Sequence, residues 1–252
     1  MIRHSWDITP REAIALQRKL AGQVSQAPLD RPVRLIAGTD CAFLDAGRTI
    51  LAVAVLCAVR GGAGRAGRPA RPLEVVHWTH CAMPCAFPYV PGLLSFREAP
   101  AVIAAVEQLP HRPDLLMCDG QGLAHPRGFG LASHVGLWLG IPTIGVAKSR
   151  LCGAFRPPGR CRGCHTQLRL EGRVVGSAVR TADGVRPLFV SVGHAIDLGG
   201  AIRWTLRSAR RYRLPEPTRQ AHLRVSYLKR RPDQIGPACD RREAPKPLAG
   251  RR

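Results

Sequence analysis

The sequence is short of acidic residues and has no long apolar run. Its 252 residues contain 17 Asp plus Glu against 38 Lys plus Arg, which gives a formal net charge of +21 at pH 7. A surplus this large favours a polyanionic partner, because neutralising phosphates releases condensed counterions. Codon bias toward arginine explains part of the surplus, but it does not explain the deficit of acids. Nucleic acid is therefore the expected partner.

Other absences narrow the class of protein. No run of about 18 apolar residues is present, so we expect no membrane-spanning helix and no membrane partner. The beginning of the sequence lacks the apolar stretch of a signal peptide, and the nine cysteines are an odd number scattered along the chain. These features predict a cytoplasmic protein whose thiols are mostly reduced.

Two cysteine motifs resemble ligand sites but lack the expected context. CRGCH at 161–165 matches the C-x-x-C-H pattern of haem attachment, but it lies in a loop rich in Arg, Gly and Pro, and we expect no haem. HWTHCAMPC at 77–85 gathers two histidines and two cysteines, yet no second pair follows at zinc-finger spacing. We interpret it as a strand end with incidental thiols.

Hydrophobic periodicity predicts one α/β domain over residues 1–229. The TPRE segment at 9–12 has the Thr, Pro and Glu of a capped helix start. The Gly-, Arg- and Pro-rich stretch 60–72 is predicted to be a flexible loop, and residues 230–252 a basic, disordered tail. Three β-type segments joined by turn-rich connections predict an antiparallel meander; they are 33–45, 48–59 and 73–80.

Beyond residue 90 the pattern alternates between helical and β-type periods, which predicts β-α-β units. The predicted helices are 93–109, 131–140, 195–209 and 217–228. The predicted strands are 115–118 and 141–148. A hairpin or short meander is predicted over 167–194, with a D-G turn at 183–184.

Three acids fall where strands end or a helix begins. Asp40 lies inside the first apolar strand, Glu98 at a helix start and Asp119 directly after the fourth strand. An acid in an apolar strand is costly to bury unless it is paired, and a metal ion is the usual partner. If the first and fourth strands are neighbours, Asp40 and Asp119 lie side by side, and Glu98 can reach them from a helix packed over the sheet.

Three oxygen ligands in one cleft suit Mg²⁺. The order of strand acid, helix acid and fourth-strand acid is that of ribonuclease H-like nucleases. We therefore predict an α/β fold of the ribonuclease H-like type, with a mixed sheet flanked by helices. The sheet would combine an antiparallel three-strand meander with parallel strands.

Each acid also has a structural alternative. Ser95 and Glu98 form an S-x-x-E pattern, which is typical of a capping box at a helix N-terminus. Asp40 fits a β-bulge, and Asp119 before a glycine fits a turn. The three alternatives together are weaker than any one of them, because all would have to coincide in a chain that is short of acids.

Three longer segments together resemble the endonuclease V family, the deoxyinosine-directed nucleases with a ribonuclease H-like core. They are PYVPGLLSFREAP at 88–100, DGQGLAHPRGFGLASHVG at 119–136 and IPTIGVAKSRL at 141–151. The resemblance extends over roughly residues 10–228, in the order that the family has. The loop 60–72 and the CRGCH segment are not family signatures.

The resemblance implies a catalytic role for five positions. Asp40, Glu98 and Asp119 fall on the metal-binding acids of the family. Lys148 would orient the nucleophilic water or neutralise developing charge, with a surface cation at a strand end as the alternative. His222 would ligate a second metal weakly or assist proton transfer, although a lone helical histidine is usually just packed.

The resemblance also implies two nucleic-acid contacts. The first is a strand-separating wedge, whose ring stacks against bases and whose prolines hold the loop rigid; it comprises Pro88, Tyr89, Val90 and Pro91. The second is a pocket for the extruded base, where glycines allow the backbone to approach a base edge. Its residues are Gly92, Leu94, Gly120, Gly122 and His125. Hypoxanthine differs from adenine by a carbonyl and an N1–H, and from guanine by the missing 2-amino group.

The implied activity is Mg²⁺-dependent hydrolysis of DNA containing deoxyinosine, with Mn²⁺ expected to substitute. The family cuts one nucleotide beyond the lesion on its 3′ side and leaves 3′-hydroxyl and 5′-phosphate ends. An aromatic wedge suits a substrate whose modified base must leave the stack. Two alternatives stay open: an inosine-specific endoribonuclease, and a non-catalytic nucleic-acid-binding protein on the same fold. We expect a monomer.

Overall fold

The computed structural model describes residues 2–59 and 73–236. The predicted loop 60–72 and the predicted tail from residue 237 onward lie outside the described residues. The beginning of that tail is ordered, because a helix continues to Arg230 and a short 3₁₀ helix follows over Pro232–Gln234. No helix in the described ranges has both the length and the apolar composition needed to cross a bilayer.

The described residues form five α-helices and eight strands. The helices are α1 (Pro10–Ala21), α2 (Leu94–Glu107), α3 (Leu131–Leu139), α4 (Leu198–Ser208) and α5 (Glu216–Arg230). The strands are β1 (Leu35–Leu44), β2 (Thr49–Val59), β3 (Leu73–Pro84), β4 (Leu115–Cys118), β5 (Thr143–Ala147), β6 (His165–Leu170), β7 (Arg173–Val179) and β8 (Leu188–His194).

The eight strands form one mixed sheet in the order β3-β2-β1-β4-β5-β8-β7-β6. The first three strands are an antiparallel meander, as predicted, and β4 and β5 extend it in parallel with β1. The last three strands pair antiparallel at the other end. The predicted fold class is confirmed.

Helices cover both faces of this sheet. On one face α2 packs against Ala52, Ala54 and Leu56 of β2, and α3 packs over β4, β5 and β8. On the other face α5 packs against the alternate residues of β2, such as Val53 and Val55, and α4 packs over β7 and β8. Because both faces of β2 are buried, its sequence is a continuous apolar run instead of an alternating one.

The first helix begins as predicted, whereas the second does not. Thr9 and Glu12 form a reciprocal capping box at the start of α1, with Pro10 as the first helical residue. By contrast, α2 starts at Leu94 and has no side-chain cap. The capping-box interpretation of Ser95 and Glu98 is therefore wrong, since both lie inside the helix and both are buried.

A glycine in β1 lets α5 cross the sheet closely. A Cβ atom on Gly38 would overlap the backbone of Pro217, near the start of α5. The helix therefore passes directly over β1, and its residue His222, five positions after Pro217, reaches Asp40, two residues after Gly38 along the strand. Sequence and packing thus combine to place a helical histidine beside the buried acid of β1.

Two predicted details of the β regions differ from the structure. The strand predicted over 73–80 continues to Pro84, so most of the HWTHCAMPC segment is β-strand and not a strand end. The β6–β7 hairpin turns at Glu171 and Gly172, whose φ angles of 49° and 76° suit a tight hairpin turn. The D-G pair at 183–184 lies instead in the longer β7–β8 connection. The described residues contain no disulfide.

Candidate active site

Two of the three predicted acids lie side by side because β1 and β4 are parallel neighbours. Thr39 is aligned with Cys118, and the amide N–H of Asp119 donates to the Thr39 carbonyl at 3.1 Å. Glu98 comes from α2, and both Glu98 and Asp40 are only 9% exposed. The predicted neighbourhood of first and fourth strands is thus present, with a helical acid close enough to interact electrostatically with both aspartates.

A lysine and a histidine complete the group. Lys148, just after β5, forms a close ion pair with the Oδ2 atom of Asp119, and its Nζ lies 3.6 Å from the Oδ2 atom of Asp40. His222 of α5 donates from Nδ1 to Asp40 Oδ2 at 2.7 Å, and this nitrogen lies 3.4 Å from the lysine Nζ. Four elements of secondary structure and the end of β5 thus converge at one edge of the sheet.

Burial and mutual repulsion shift the titration of two carboxyl groups. Burial is the largest cause that raises the pKa of Glu98 to about 8, and the charges of Asp40 and Asp119 add to it. Burial and the charge of Asp40 raise the pKa of Asp119 to about 6, against the opposing effect of Lys148. Like charges in a desolvated place favour the protonated forms, so this group of acids needs a cation to be fully ionised.

The ammonium group of Lys148 already supplies part of the positive charge that these acids need. Burial alone would lower the pKa of Lys148, but the charges of Asp119 and Asp40 outweigh it, and the net pKa is raised. The lysine is therefore charged near neutral pH and is held between two carboxylates. It is not a free strand-end cation on the surface.

The residues fit a hard divalent cation by their chemistry, although they do not form a ready-made cage. In the described parts of the chain, no three His, Cys, Asp or Glu side chains are arranged as a metal centre. The carboxylate oxygens of Asp40, Glu98 and Asp119 are nevertheless the donors that Mg²⁺ prefers. A bound divalent ion would relieve the mutual repulsion of these carboxylates. The Lys148 ammonium, which two of them already attract, relieves it only in part.

The segment predicted as a wedge is exposed. Pro88, Tyr89 and Pro91 lie at the surface, and the tyrosine side chain is 72% exposed. The guanidinium of Arg97 lies 6.0 Å from the Tyr89 ring centroid and 4.6 Å from that of Phe43. Arg97 also donates to the carbonyl of Gly47 at 3.1 Å. The arginine therefore ties the region of the tyrosine to the β1–β2 turn.

The loop after the wedge is held by its glycine carbonyl. Gly92 has a φ angle of +79°, and its carbonyl accepts from Gln17 at 3.0 Å, His125 at 2.9 Å and Arg127 at 2.7 Å. Arg127 also donates from Nε to the Gln17 side-chain oxygen at 2.6 Å. This positive φ angle favours glycine, and a Cβ atom here would also displace the Arg127 guanidinium, which would lie 2.6 Å from it. We call Gly92, Gln17, His125 and Arg127 the Gly92 clamp.

His125 is buried and has both ring nitrogens in use. Its Nδ1 accepts from the backbone N–H of Arg127 at 3.1 Å, so the neutral ring carries its proton on Nε2 and donates it to Gly92. Burial and the charge of Arg127 lower the pKa of His125 to about 4. The histidine thus fixes the loop as a neutral side chain.

The remaining pocket residues differ in their surroundings. Leu94 is 40% exposed at the start of α2. A Cβ on Gly120 would touch Leu131 at 3.2 Å, and one on Gly122 would overlap the carbonyl of Val192 in β8. The Gly122 N–H and carbonyl are paired with Ser191 Oγ and Gly130. Gly122 therefore packs against β8, and its polar groups already have partners instead of being open to a base.

Sequence reasoning missed the two polar partners of the clamp. Gln17 is fully buried on the same face of α1 as Ala13 and Leu20, so a polar residue in an apolar helical stripe was the available signal. Arg127 lies inside a segment that the resemblance covers, but its partners are 35 and 110 residues away in the chain. Only the fold brings them together.

Comparison with known proteins gives a consistent result. Residues 18–223 match the sequence profile described as Endonuclease V. The endonuclease V of Gloeobacter violaceus is 46% identical over 222 residues, which cover 87% of this chain and 86% of that protein. The endonuclease V of Methanothrix thermoacetophila is 47% identical over 220 residues, which cover 87% of this chain and 92% of that protein.

Solved structures agree with these relatives. Endonuclease V from Streptomyces avermitilis is 40% identical with a TM-score of 0.81, covering 92% of this chain and 98% of that one. The catalytic domain of human endonuclease V is 30% identical with a TM-score of 0.77, covering 89% and 98%. The Ciona intestinalis protein, solved with DNA containing an inosine followed by a ribo-adenosine, shares the fold at 21% identity and a TM-score of 0.72.

Proposed function

This chain belongs to the endonuclease V family of nucleases, and from that premise we propose that it is a Mg²⁺-dependent endonuclease for deoxyinosine in DNA. It would hydrolyse the phosphodiester bond one nucleotide to the 3′ side of the lesion, leaving 3′-hydroxyl and 5′-phosphate ends. The observation that carries the proposal is the group of buried Asp40, buried Glu98 and neighbouring Asp119, with Lys148 held between the two aspartates.

The three carboxylates would hold the metal ion. When bound, Mg²⁺ would lower the pKa of a water molecule and offset the negative charge that develops on the phosphate. Asp40 and Asp119 are fixed by adjacent strands, and Glu98 is fixed within α2. Their backbone positions therefore require little reorganisation, which is the usual source of catalytic advantage in a charged site.

Lys148 and His222 would act beside the carboxylates. The Lys148 ammonium stays protonated near neutral pH, so it serves as a positive charge for the phosphate or for the attacking water and not as a base. His222 is oriented by its hydrogen bond to Asp40, with a side chain that is 45% exposed. It can therefore reach a proton at the solvent side of the site.

Tyr89 and the Gly92 clamp would take part in extruding and recognising the modified base. An exposed ring between prolines loses little conformational freedom on binding and can fill the space that an extruded base leaves. The clamp fixes the following loop with three hydrogen bonds to one carbonyl. A rigid loop supports the discrimination of hypoxanthine from adenine and guanine, which rests on one carbonyl, one N–H and one missing amino group.

A cleavage assay tests the proposal. Two end-labelled duplexes, identical except for one deoxyinosine, are incubated with Mg²⁺, with Mn²⁺ or with EDTA, and the cut is mapped to the nucleotide. We expect a metal-dependent nick one nucleotide 3′ of the inosine. It should be lost in Asp40→Asn, retained in the exposed control Asp30→Asn, and weakened in Tyr89→Ala but not in Tyr227→Ala. Equal cutting of both duplexes would refute the base specificity. An RNA of the same sequence with one inosine is assayed beside them, and cutting of this RNA alone would assign an RNA substrate.

A further inference from the structure

A second exposed tyrosine lies close to the catalytic edge, on the loop between α4 and α5. Tyr212 is 46% exposed. The guanidinium of Arg219 lies 4.3 Å from its ring centroid, and that of Arg211 lies 5.8 Å away. Arg219 is itself fixed by two hydrogen bonds to Glu216, of 2.9 and 2.7 Å. An aromatic ring supported by arginine is the kind of surface on which unpaired bases stack.

The loop that carries Tyr212 is tied to the catalytic lysine. Arg213 donates to the backbone carbonyl of Lys148 at 2.7 Å. It also donates to the carbonyls of Arg186 at 2.8 Å and Pro187 at 3.0 Å, just before β8. The next residue along the chain from Tyr212 is thus bound to the ends of the strands beside the site. The loop at Tyr212 is therefore anchored to the chain at Lys148.

The segments that carry Tyr89 and Tyr212 are attached to the sheet on opposite sides of the carboxylates. The arginine next to Tyr89, Arg97, contacts Phe43 of β1 and the β1–β2 turn. Arg213, which follows Tyr212 in the chain, binds the carbonyls of Lys148, after β5, and of Pro187, before β8. In the sheet order β2-β1-β4-β5-β8, the two catalytic aspartates of β1 and β4 lie between these attachments. A strand laid across the carboxylates would meet one tyrosine on each side.

We propose that Tyr212 is a second stacking platform, which takes an unpaired base of the DNA strand on the 3′ side of the bond that is cut. This direction rests on the proposed function, which places Tyr89 at the lesion and the lesion on the 5′ side of the cut. The charge of the segment suits the phosphates of that strand. Its arginines between residues 203 and 213 are Arg203, Arg207, Arg210, Arg211 and Arg213.

The platform is tested by 2-aminopurine fluorescence, which responds to stacking. The base is placed in turn at four positions on either side of the inosine, in a duplex whose inosine strand continues single-stranded beyond the cut. Binding is measured in EDTA, where the proposed activity does not cut the DNA. Wild type is compared with Tyr212→Leu, Tyr212→Trp and the equally exposed control Tyr227→Leu.

We expect one position 3′ of the cut to report stacking in wild type and in Tyr212→Trp but not in Tyr212→Leu. Loss of the ring should weaken binding of this substrate roughly tenfold, with a smaller loss on a fully paired duplex. In the cleavage assay KM should rise while kcat stays within about twofold. Tyr227→Leu should match wild type.

The same samples separate this inference from the proposed function, since wild type is also given Mg²⁺ and its cut is mapped. If wild type cuts 3′ of inosine but Tyr212→Leu gives the wild-type fluorescence profile, the platform is overturned and the function stands. If the ring-dependent signal lies 5′ of the inosine, the assigned side is wrong. If wild type does not cut but the signal depends on the ring, Tyr212 is still a stacking platform, while the proposed function and the side assigned from it both fail.

Discussion

Two buried groups of titratable side chains lie one turn apart on α2, and they are built in opposite ways. Burial raises the pKa of Glu98, and the like charges of Asp40 and Asp119 beside it raise it further. Ser95, three residues earlier, faces the buried ring of His134, with His4 beyond it. The first group is ionisable and strained by repulsion. The second can be satisfied entirely by neutral hydrogen bonds.

We call His4, His134 and Ser95 the histidine group. Its proton positions follow from the contact that His4 makes with the backbone at one end of the group. His4 Nδ1 lies 2.8 Å from the Ser5 carbonyl, which can only accept, so this nitrogen carries a proton. The other nitrogen of neutral His4 then accepts from His134 Nε2 at 2.7 Å, and His134 Nδ1 accepts from Ser95 Oγ at 3.2 Å. Aromatic rings surround the pair, from Trp6, Phe96 and Trp138. Every donor has a partner, and no charge is needed.

This difference separates a functional site from a structural one. A group that supports folding satisfies its own polar atoms. A group that awaits a ligand keeps an unmet requirement, here for positive charge, and lowers stability while it waits. The predictions below test that contrast, beginning with the largest effect.

Glu98→Gln should abolish function and raise stability. Loss of one carboxylate is expected to reduce cleavage by roughly 10³-fold. The folded-state pKa of Glu98, about 8, lies above its ordinary value of 4.5, so in EDTA the contribution of this group to stability falls as pH rises from 4.5 to 8. The variant should remove this loss and be more stable at pH 8 by on the order of 3 kcal/mol. Urea unfolding at pH 5 and pH 8 measures the effect.

The isosteric Asp30→Asn change at an exposed acid is the control for Glu98→Gln, because it removes a charge without touching the group. It should alter neither cleavage nor the pH dependence. A Glu98→Gln protein that loses stability at pH 8 would show that the carboxylates do not oppose one another in the folded chain.

Lys148→Met should cost less activity and make the fold more dependent on the metal ion. Removing a fixed positive charge from the site is expected to slow cleavage roughly 10²-fold. It also leaves Asp119 and Asp40 without the ammonium that contacts both. In EDTA the melting temperature at pH 8 should fall, and added Mg²⁺ should raise it by more than in wild type. An equal Mg²⁺-induced shift in both proteins would contradict a shared role of lysine and metal.

The sequence predicted the charged group better than the neutral one. Asp40 and Asp119 were brought together by a single topological step, the pairing of first and fourth strands. Glu98 had a local alternative, the capping box with Ser95, and one sequence cannot decide between a cap and an inward-facing acid. The choice depends on where α2 begins, and it begins at Leu94.

The partners that were missed are distant in the chain. His4 and His134 are 130 residues apart, and the clamp residue Gln17 is 75 residues from Gly92. No spacing or periodicity joins such pairs, because their contact is created by packing of α1 and α3 around α2. Motif resemblance located the clamp glycine, but it did not indicate what holds it.

His134→Phe should reduce the dependence of the free energy of unfolding on pH at acid pH, and it should leave cleavage unchanged. Burial, with a smaller effect of His4, lowers the pKa of His134 well below its ordinary value. Below pH 6.5 the unfolded chain therefore binds a proton at this ring that the folded chain does not bind, so the contribution of His134 to stability falls as pH decreases. Each such histidine contributes up to about 1.4 kcal/mol per pH unit. Denaturant unfolding between pH 5 and 7 should show a slope reduced by about one proton.

Other groups contribute to the slope in both proteins. Burial also lowers the pKa of His4, His125 and His194, which act in the same direction as His134, whereas the raised pKa of Glu98 and Asp119 acts in the opposite direction. The exposed control His111→Gln should leave the slope as in wild type. An unchanged slope in His134→Phe would mean that the folded protein accepts a proton on this ring, and that the group is not neutral.

Ser95→Ala gives the smallest effect and decides what the S-x-x-E pattern does. The variant leaves the buried His134 Nδ1 without its donor and should lower the free energy of unfolding by about 1 kcal/mol. Cleavage should not change, because Ser95 serves the histidine group and α2 has no side-chain cap to lose. Ser133→Ala is the matched control, since its buried hydroxyl makes no hydrogen bond within the described residues; it should be neutral. If Ser95 were a helix cap, its loss would fray the start of α2, displace Glu98 and slow cleavage. Unchanged cleavage with lower stability would instead show that the two residues of the S-x-x-E pattern have separate roles: Ser95 stabilises the fold through His134, and Glu98 serves cleavage.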